Sequence, residues 1–293
     1  MVALDHRDFL QRCENMTLYI SDMDGTLLNP AGIVSEKSTK ILTDLINQGI
    51  HFPVATARTP LSALPLLSEI PIRDPMILMN GALCYDPEKK AFSDPIVFEK
   101  VSLEKLVEAE DASGMEGMLF SVDQGILTVN LGDVKSCMWD GYFSMEKVAH
   151  VQAIRQDVIG ASAADLLQKG VVYGLYMDNE PTKLDILFEY LKGSGLTVDY
   201  YKDKYTENRW CLEICSRNAT KGNALNRLKQ QGYDYLIGFG DSWNDVPLFQ
   251  ACDEGYAVAN ASDELKQLAA AVILSNAEDG VVEFIQHVSG KVR

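Results

Sequence analysis

Short β-rich runs alternate with amphipathic helical stretches at both ends of this chain, and the alternation breaks in the middle. That interruption constrains the fold more than any other feature. Thr17–Ile20, His51–Ala57 and Met76–Met79 are strand-like runs near the start. Ser35 is placed to cap a helix with apolar positions Ile41, Leu42, Leu45 and Ile46, and Gly49 fits its stop. Leu61–Ile70 reads as helical, with Pro65 as a kink or early break. From Ala219 the pattern returns: a helix to Gln231, stopped by Gly232, a strand at Tyr235–Phe239 and a helix at Val246–Ala251. A strand at Tyr256–Ala259, a helix capped by Ser262, a strand at Ala271–Leu274 and a helix capped by Asp279 complete it. Strands spaced by helices pair in parallel through right-handed crossovers. The reading is one α/β core domain built from residues 1–83 and 213–293.

Residues 84–212 follow another rule. Tyr85–Lys90 is turn-like, and Met118–Val122 with Ile126–Asn130 flanks Asp-Gln-Gly as a β-hairpin. Val171–Met177, Leu196–Tyr201 and Trp210–Cys215 read as strands, with a helix from Thr182 to Lys192. This is an α+β domain inserted into the first.

Composition narrows the class of ligand. The formal charge of −16 argues against a nucleic-acid partner, which selects a basic face. An acidic protein that binds an anion must supply positive charge locally, by a metal or a placed Lys or Arg. Six scattered cysteines without a Cys-x-x-Cys pair point to reduced thiols in a cytoplasmic protein rather than to zinc. The N-terminal stretch carries acids and no apolar core, so no signal peptide is expected. No apolar run approaches the ~18 residues of a membrane span. The four histidines show no motif spacing.

In open parallel sheets, ligands bind at the carboxyl ends of strands. Asp22 and Asp24 follow the first strand, Thr56 ends the second, and Asp241 follows the strand at 235–239. Each has a bland alternative. Asp24-Gly25 is a common turn, and Thr56 fits a strand end. Asp241, Ser242, Asn244 and Asp245 form a polar loop able to cap the next helix. Lys221 is harder to dismiss. A cation in the first helical turn opposes the helix dipole at a cost of roughly 0.3–1 kcal/mol, which solvent screens or a bound anion removes. All the bland readings would have to hold together on one rim.

The chain resembles the haloacid dehalogenase superfamily of phosphohydrolases, in its Cof-type (type IIB) branch. Asp22-Met23-Asp24-Gly25-Thr26 matches the first motif and Thr56 in Ala-Thr-Ala-Arg58 the second. Lys221 in Thr-Lys-Gly-Asn matches the third, and Gly240-Asp241-Ser242-Trp243-Asn244-Asp245 the fourth. Asn80-Gly81-Ala82, Ala259-Asn260-Ala261 and Asn276-Ala277-Glu278-Asp279-Gly280-Val281 match further Cof-type segments. Arg217–Thr220, Ser242 and Ala259 depart from the residues usual there.

The resemblance implies a Rossmann-like core with an inserted α+β cap of the C2B type. It implies a Mg²⁺-dependent phosphatase acting on a small phosphorylated metabolite, a sugar phosphate or similar, through an aspartyl-phosphate. A phosphomutase of the same branch and a non-catalytic metabolite-binding relative are the alternatives. Asp22 is then nucleophile and metal ligand. Asp24 is general acid–base, with its carbonyl on the metal. Asp241 is a further ligand, and Asp245 holds a coordinated water or orients its neighbours. Lys221, Thr56, Asn244 and the amides at Met23–Gly25 hold the phosphate, with Gly25 allowing close approach. Arg58 contacts substrate or makes an ion pair; Asn80 and Gly81 are a hinge, a substrate contact or a simple turn. The cap closes on the site and reads the leaving group. Arg209, Trp210, Trp139 and Tyr142 are substrate contacts or packing residues.

Overall fold

The structure, a computed structural model, describes residues 16–132, 154, 162–203, 208–230 and 232–290. Along the chain come β1 (Thr17–Ser21), α1 (Glu36–Asn47), α2 (Pro60–Ala63), β2 (Met76–Leu78) and β3 (Leu83–Asp86). There follow β4 (Ala91–Ser93), α3 (Lys100–Ser113), β5 (Met118–Asp123), β6 (Ile126–Leu131) and β7 (Val171–Asp178). Next are α4 (Thr182–Leu191), β8 (Leu196–Lys202), β9 (Trp210–Ser216), α5 (Lys221–Lys229) and β10 (Tyr235–Gly240). The last are α6 (Val246–Ala251), β11 (Glu254–Val258), α7 (Asp263–Leu268), β12 (Ala271–Ile273) and α8 (Gly280–Ser289). No helix among the described residues is long and apolar enough to cross a membrane.

The chain divides into two compact units, one formed by the residues up to Lys89 and from Thr220 on, the other by Lys90–Ala219. In the first, β1, β10, β11 and β12 form a parallel sheet in that order. Parallel sheets need cover on both faces. Leu18, Ile20 and Leu236 accordingly pack with Ala224, Leu225 and Leu228 of α5 and with Leu248 of α6. On the other edge of β1, residues 51–55 lie parallel to it. Tyr19 N donates to His51 O (2.9 Å), and Ala55 N to Ser21 O (2.8 Å). This segment is no regular strand as expected, only isolated bridges. Pro53 has no N–H for the ladder, a sufficient reason for the break.

In the second unit, β6-β5-β7-β9-β8 form an antiparallel sheet. Leu103 and Leu106 of α3 and Leu187 and Leu191 of α4 pack on Leu119, Tyr176, Leu212 and Ile214. Gln124 and Gly125 turn the β5–β6 hairpin with positive φ (49° and 78°), as a two-residue loop requires.

Several expectations are corrected. Leu83–Asp86 is a strand antiparallel to β2, not part of a turn beginning at Tyr85. Helix α3 adds an element not expected from the sequence. Asp279 sits at the α8 N-cap position with φ 57° and makes no capping bond. Its Oδ1 accepts instead from Ser35 Oγ (2.6 Å) and Ser38 Oγ (2.8 Å), tying α8 to α1. The inserted unit begins and ends a few residues later than the expected 84–212, because β3 pairs with β2 and β9 runs on to Ser216.

Candidate active site

The carboxyl ends of β1 and β10 bring the acidic residues together. Asp22 N donates to Phe239 O (3.0 Å), which seats the first acid beside the end of β10. Asp24 (φ −72°, ψ 119°) and Gly25 (φ 78°, ψ −4°) then form a type II turn, whose second central position needs glycine. A Cβ on Gly25 would lie 2.3 Å from Asp241 Oδ2, so this backbone meets the Asp241 carboxylate closely.

Helix α5 starts at Thr220, whose side chain accepts from Asn223 N (3.1 Å). Lys221, in the first turn, is fully buried and donates from Nζ to Asp22 Oδ1 and Asp245 Oδ1, both at 2.6 Å. The dipole conflict read from the sequence is thus answered by two carboxylates of the chain itself. Burial alone disfavours the ammonium, but these carboxylates outweigh it and hold the Lys221 pKa above its ordinary value. Asp245 is completely buried, and its other oxygen accepts from Asp241 N (3.0 Å) and Ser242 N (3.2 Å), shaping the loop that presents Asp241.

Oxygens of Asp22, Asp241 and Asp245 lie within 4.8 Å of one another. One ammonium does not balance these acids. Burial pushes the Asp22 carboxyl well above the usual range, against the pull of Lys221 and with Asp245 and Asp241 adding to it. Burial, then Asp245, pushes Asp241 up to about 6. An excess of negative charge on clustered oxygen donors fits a hard divalent cation.

The Asp24 side chain points elsewhere. Its oxygens accept from Arg58 Nε (2.6 Å) and Nη2 (2.7 Å), a bidentate ion pair. Thr56 is buried at the end of the 51–55 segment, and its Oγ1 accepts from Arg58 N (3.1 Å). Asn244 is exposed, its Oδ1 accepting from Ser242 Oγ (2.6 Å). Met79, Asn80 and Gly81 have positive φ of 50°, 55° and 97°. A Cβ on Gly81 would lie 2.3 Å from Thr220 O, so this turn abuts the start of α5 and hence Lys221.

Arg209 pairs with Asp203 at 3.9 Å, and the Trp210 ring lies 5.8 Å from that of Tyr200, contacts internal to the inserted unit. Trp139 and Tyr142 lie outside the described residues. Asn260 has no role legible in the sequence, yet its Nδ2 donates to Gly25 O (2.7 Å). Its only sequence signal was the segment Ala259-Asn260-Ala261.

A parallel α/β unit with acids and a buried lysine on its carboxyl rim, interrupted by an antiparallel α+β unit, defines an acid-centred enzyme of two units. Residues 19–285 match the family model described as haloacid dehalogenase-like hydrolase. The chain belongs to this family of hydrolases. It is 28% identical to phosphatase YwpJ of Bacillus subtilis over 93% of this chain and all of that protein. It is 23% identical to pyridoxal phosphate phosphatase YbhA of Escherichia coli, over 90% of this chain and 95% of that one. The solved structure of a subclass IIB sugar phosphatase of the same superfamily superposes with a TM-score of 0.64 at 17% identity. It covers 94% of this chain and all of its own, and the likeness extends to the fold.

Proposed function

We propose that this phosphatase of the haloacid dehalogenase superfamily hydrolyses a small phosphorylated metabolite through an aspartyl-phosphate on Asp22, with Mg²⁺ as cofactor. The observation that carries the reading is the buried Asp22–Lys221–Asp245 cluster beside Asp241. The names of the similar proteins agree with it: both are phosphatases, and that of Escherichia coli is named for a small metabolite, pyridoxal phosphate. We place the enzyme in the cytoplasm, as reduced thiols suggest; Cys211 and Cys215 are buried and form no disulfide.

Asp22, the main-chain carbonyl of Asp24 and Asp241 would hold Mg²⁺, with Asp245 holding a coordinated water or orienting Asp241. The ion supplies the charge neutralisation that lets a carboxylate approach a phosphate dianion. The chain's own residues do the rest. An Asp22 carboxylate oxygen attacks phosphorus in line and the ester oxygen leaves. Lys221 Nζ, Thr56 Oγ1, the Asn244 amide and the amides at Met23–Gly25 neutralise and orient the phosphoryl oxygens. Asp24 delivers a proton to the leaving alcohol, then removes one from the water that attacks the aspartyl-phosphate. For this the Asp24 carboxyl must turn from Arg58, so Arg58 positions the acid between turnovers.

The direct test is phosphate release from a panel of phosphorylated metabolites with Mg²⁺. Release of inorganic phosphate supports the reading; isomerisation of a substrate without release defeats it. Chelation of divalent metal is expected to abolish turnover. Mg²⁺ at about a hundred times its Kd should add about 2.7 kcal/mol of stability. Differential scanning fluorimetry would show this as a rise in Tm of roughly 4–5 °C. Asp241→Asn should remove most of that rise. Asp24→Asn should lower kcat by about 10²–10⁴-fold, while the Mg²⁺-dependent rise in Tm persists because the variant keeps its carbonyl. Loss of that rise would make the Asp24 side chain the ligand.

A further inference from the structure

Asparagines outside the acid–lysine cluster are bonded to the turn that carries Asp24. Asn260, just past β11, is exposed, yet both ends of its amide are committed. Its Oδ1 accepts from Asn276 N (3.0 Å), and its Nδ2 donates to Gly25 O (2.7 Å). The orientation is determined. Only the oxygen can accept from the Asn276 N–H, so the amino group must face the Gly25 carbonyl. Asn276 is buried, and its own Nδ2 donates to Leu28 O (2.8 Å), at the far end of the same loop. Leu28 N in turn donates to Met23 O (2.8 Å) and closes that loop. Two residues past Asn260, Ser262 N donates to Asp241 O (2.8 Å).

Gly25 has no side chain to fix its conformation, and glycine gives up the most backbone freedom on ordering. The space where a Cβ would lie is taken by Asp241. The turn therefore needs an external hold, and the short segment from Asn260 to Ser262 grips both Gly25 and Asp241. An exposed asparagine buries little surface, so its amide matters more for orientation than for stability.

We propose that Asn260, itself fixed by Asn276, is a positioning residue. It clamps the Gly25 carbonyl and so sets the orientation of the Asp24–Gly25 turn relative to Asp241. The inference rests on the phosphatase reading for its kinetic consequence, and on hydrogen bonds alone for its structural one. A displacement of about 1 Å at a reacting group costs on the order of 10²-fold in rate.

The test compares wild type with Asn260→Asp and Asn260→Ala. The aspartate keeps the acceptor for Asn276 and replaces the donor facing Gly25 with a carboxylate oxygen. The alanine removes both bonds and adds no charge. Steady-state hydrolysis with Mg²⁺, Tm and hydrogen exchange of the amides at 23–28 are measured on each full-length protein. Both variants should lose about 10- to 100-fold in kcat, with KM and Tm little changed, and should exchange the 23–28 amides faster. Wild-type kcat in Asn260→Ala, or unchanged exchange in both variants, overturns the proposal. A loss of kcat that tracks a fall in Tm also overturns it, because Asn260 would then merely hold the fold. If wild type releases phosphate from no substrate, the phosphatase reading fails, and the clamp is judged by exchange alone.

Discussion

Asp22→Asn is expected to keep the fold and lose turnover by about 10⁴-fold or more. An amide oxygen is a poor nucleophile toward phosphorus, and no neighbouring acid can replace it. Asp245 is completely buried, with one oxygen on Lys221 and the other on the Asp241 and Ser242 amides. Asp24 pairs with Arg58 at rest and, once turned from it, serves the leaving oxygen as acid rather than phosphorus as nucleophile. The fold should survive because the substitution preserves shape and removes one of several crowded negative charges, while Lys221 keeps Asp245 as partner. Rapid acid quench during turnover, followed by mass spectrometry, should find a phosphoryl group on the wild-type peptide containing Asp22 and none on the variant. Equal turnover by variant and wild type would remove Asp22 from the nucleophile's role.

What could be read from the sequence was local. Ser35, Thr17–Ile20 and the Asp24-Gly25 turn declare themselves because capping, β-propensity and positive φ depend on a few adjacent residues. The rim assignment followed from strand order, since residues after parallel strands share one edge. Pairings across long separations were not readable. Nothing near Arg58 in the sequence tells that Asp24 takes its guanidinium, and nothing near Asn260 points to Gly25. Asp279 was read as a cap because Asp often is one. Its side chain serves α1 instead, a choice made by tertiary packing. Helix α3 escaped notice because its apolar residues Leu103, Leu106 and Ala109 are interspersed with acids and lysines. The segment at 51–57 has strand composition, but composition does not weigh the missing amide of Pro53.

Lys221→Met should damage stability and catalysis together. The methionine fills much of the same slot but leaves Asp22 and Asp245 buried without their cation. Breaking a buried ion pair in this way costs about 3–5 kcal/mol, which lowers Tm by roughly 5–8 °C in a chain of this size. Combination with Asp22→Asn supplies the decisive comparison. The double variant should be more stable than Lys221→Met alone, because it removes one of the stranded charges, and coupling of this kind marks groups in contact or in one ion-pair network. Mg²⁺ should raise the Tm of Lys221→Met more than that of wild type, since the added cation meets a larger uncompensated charge. Turnover should stay at least about 10³-fold below wild type even at saturating Mg²⁺, because the ammonium that faces the phosphoryl oxygens has gone. A Lys221→Met protein with wild-type Tm would show that the carboxylates are already neutral in the folded state. One with wild-type kcat would remove the lysine from phosphate binding.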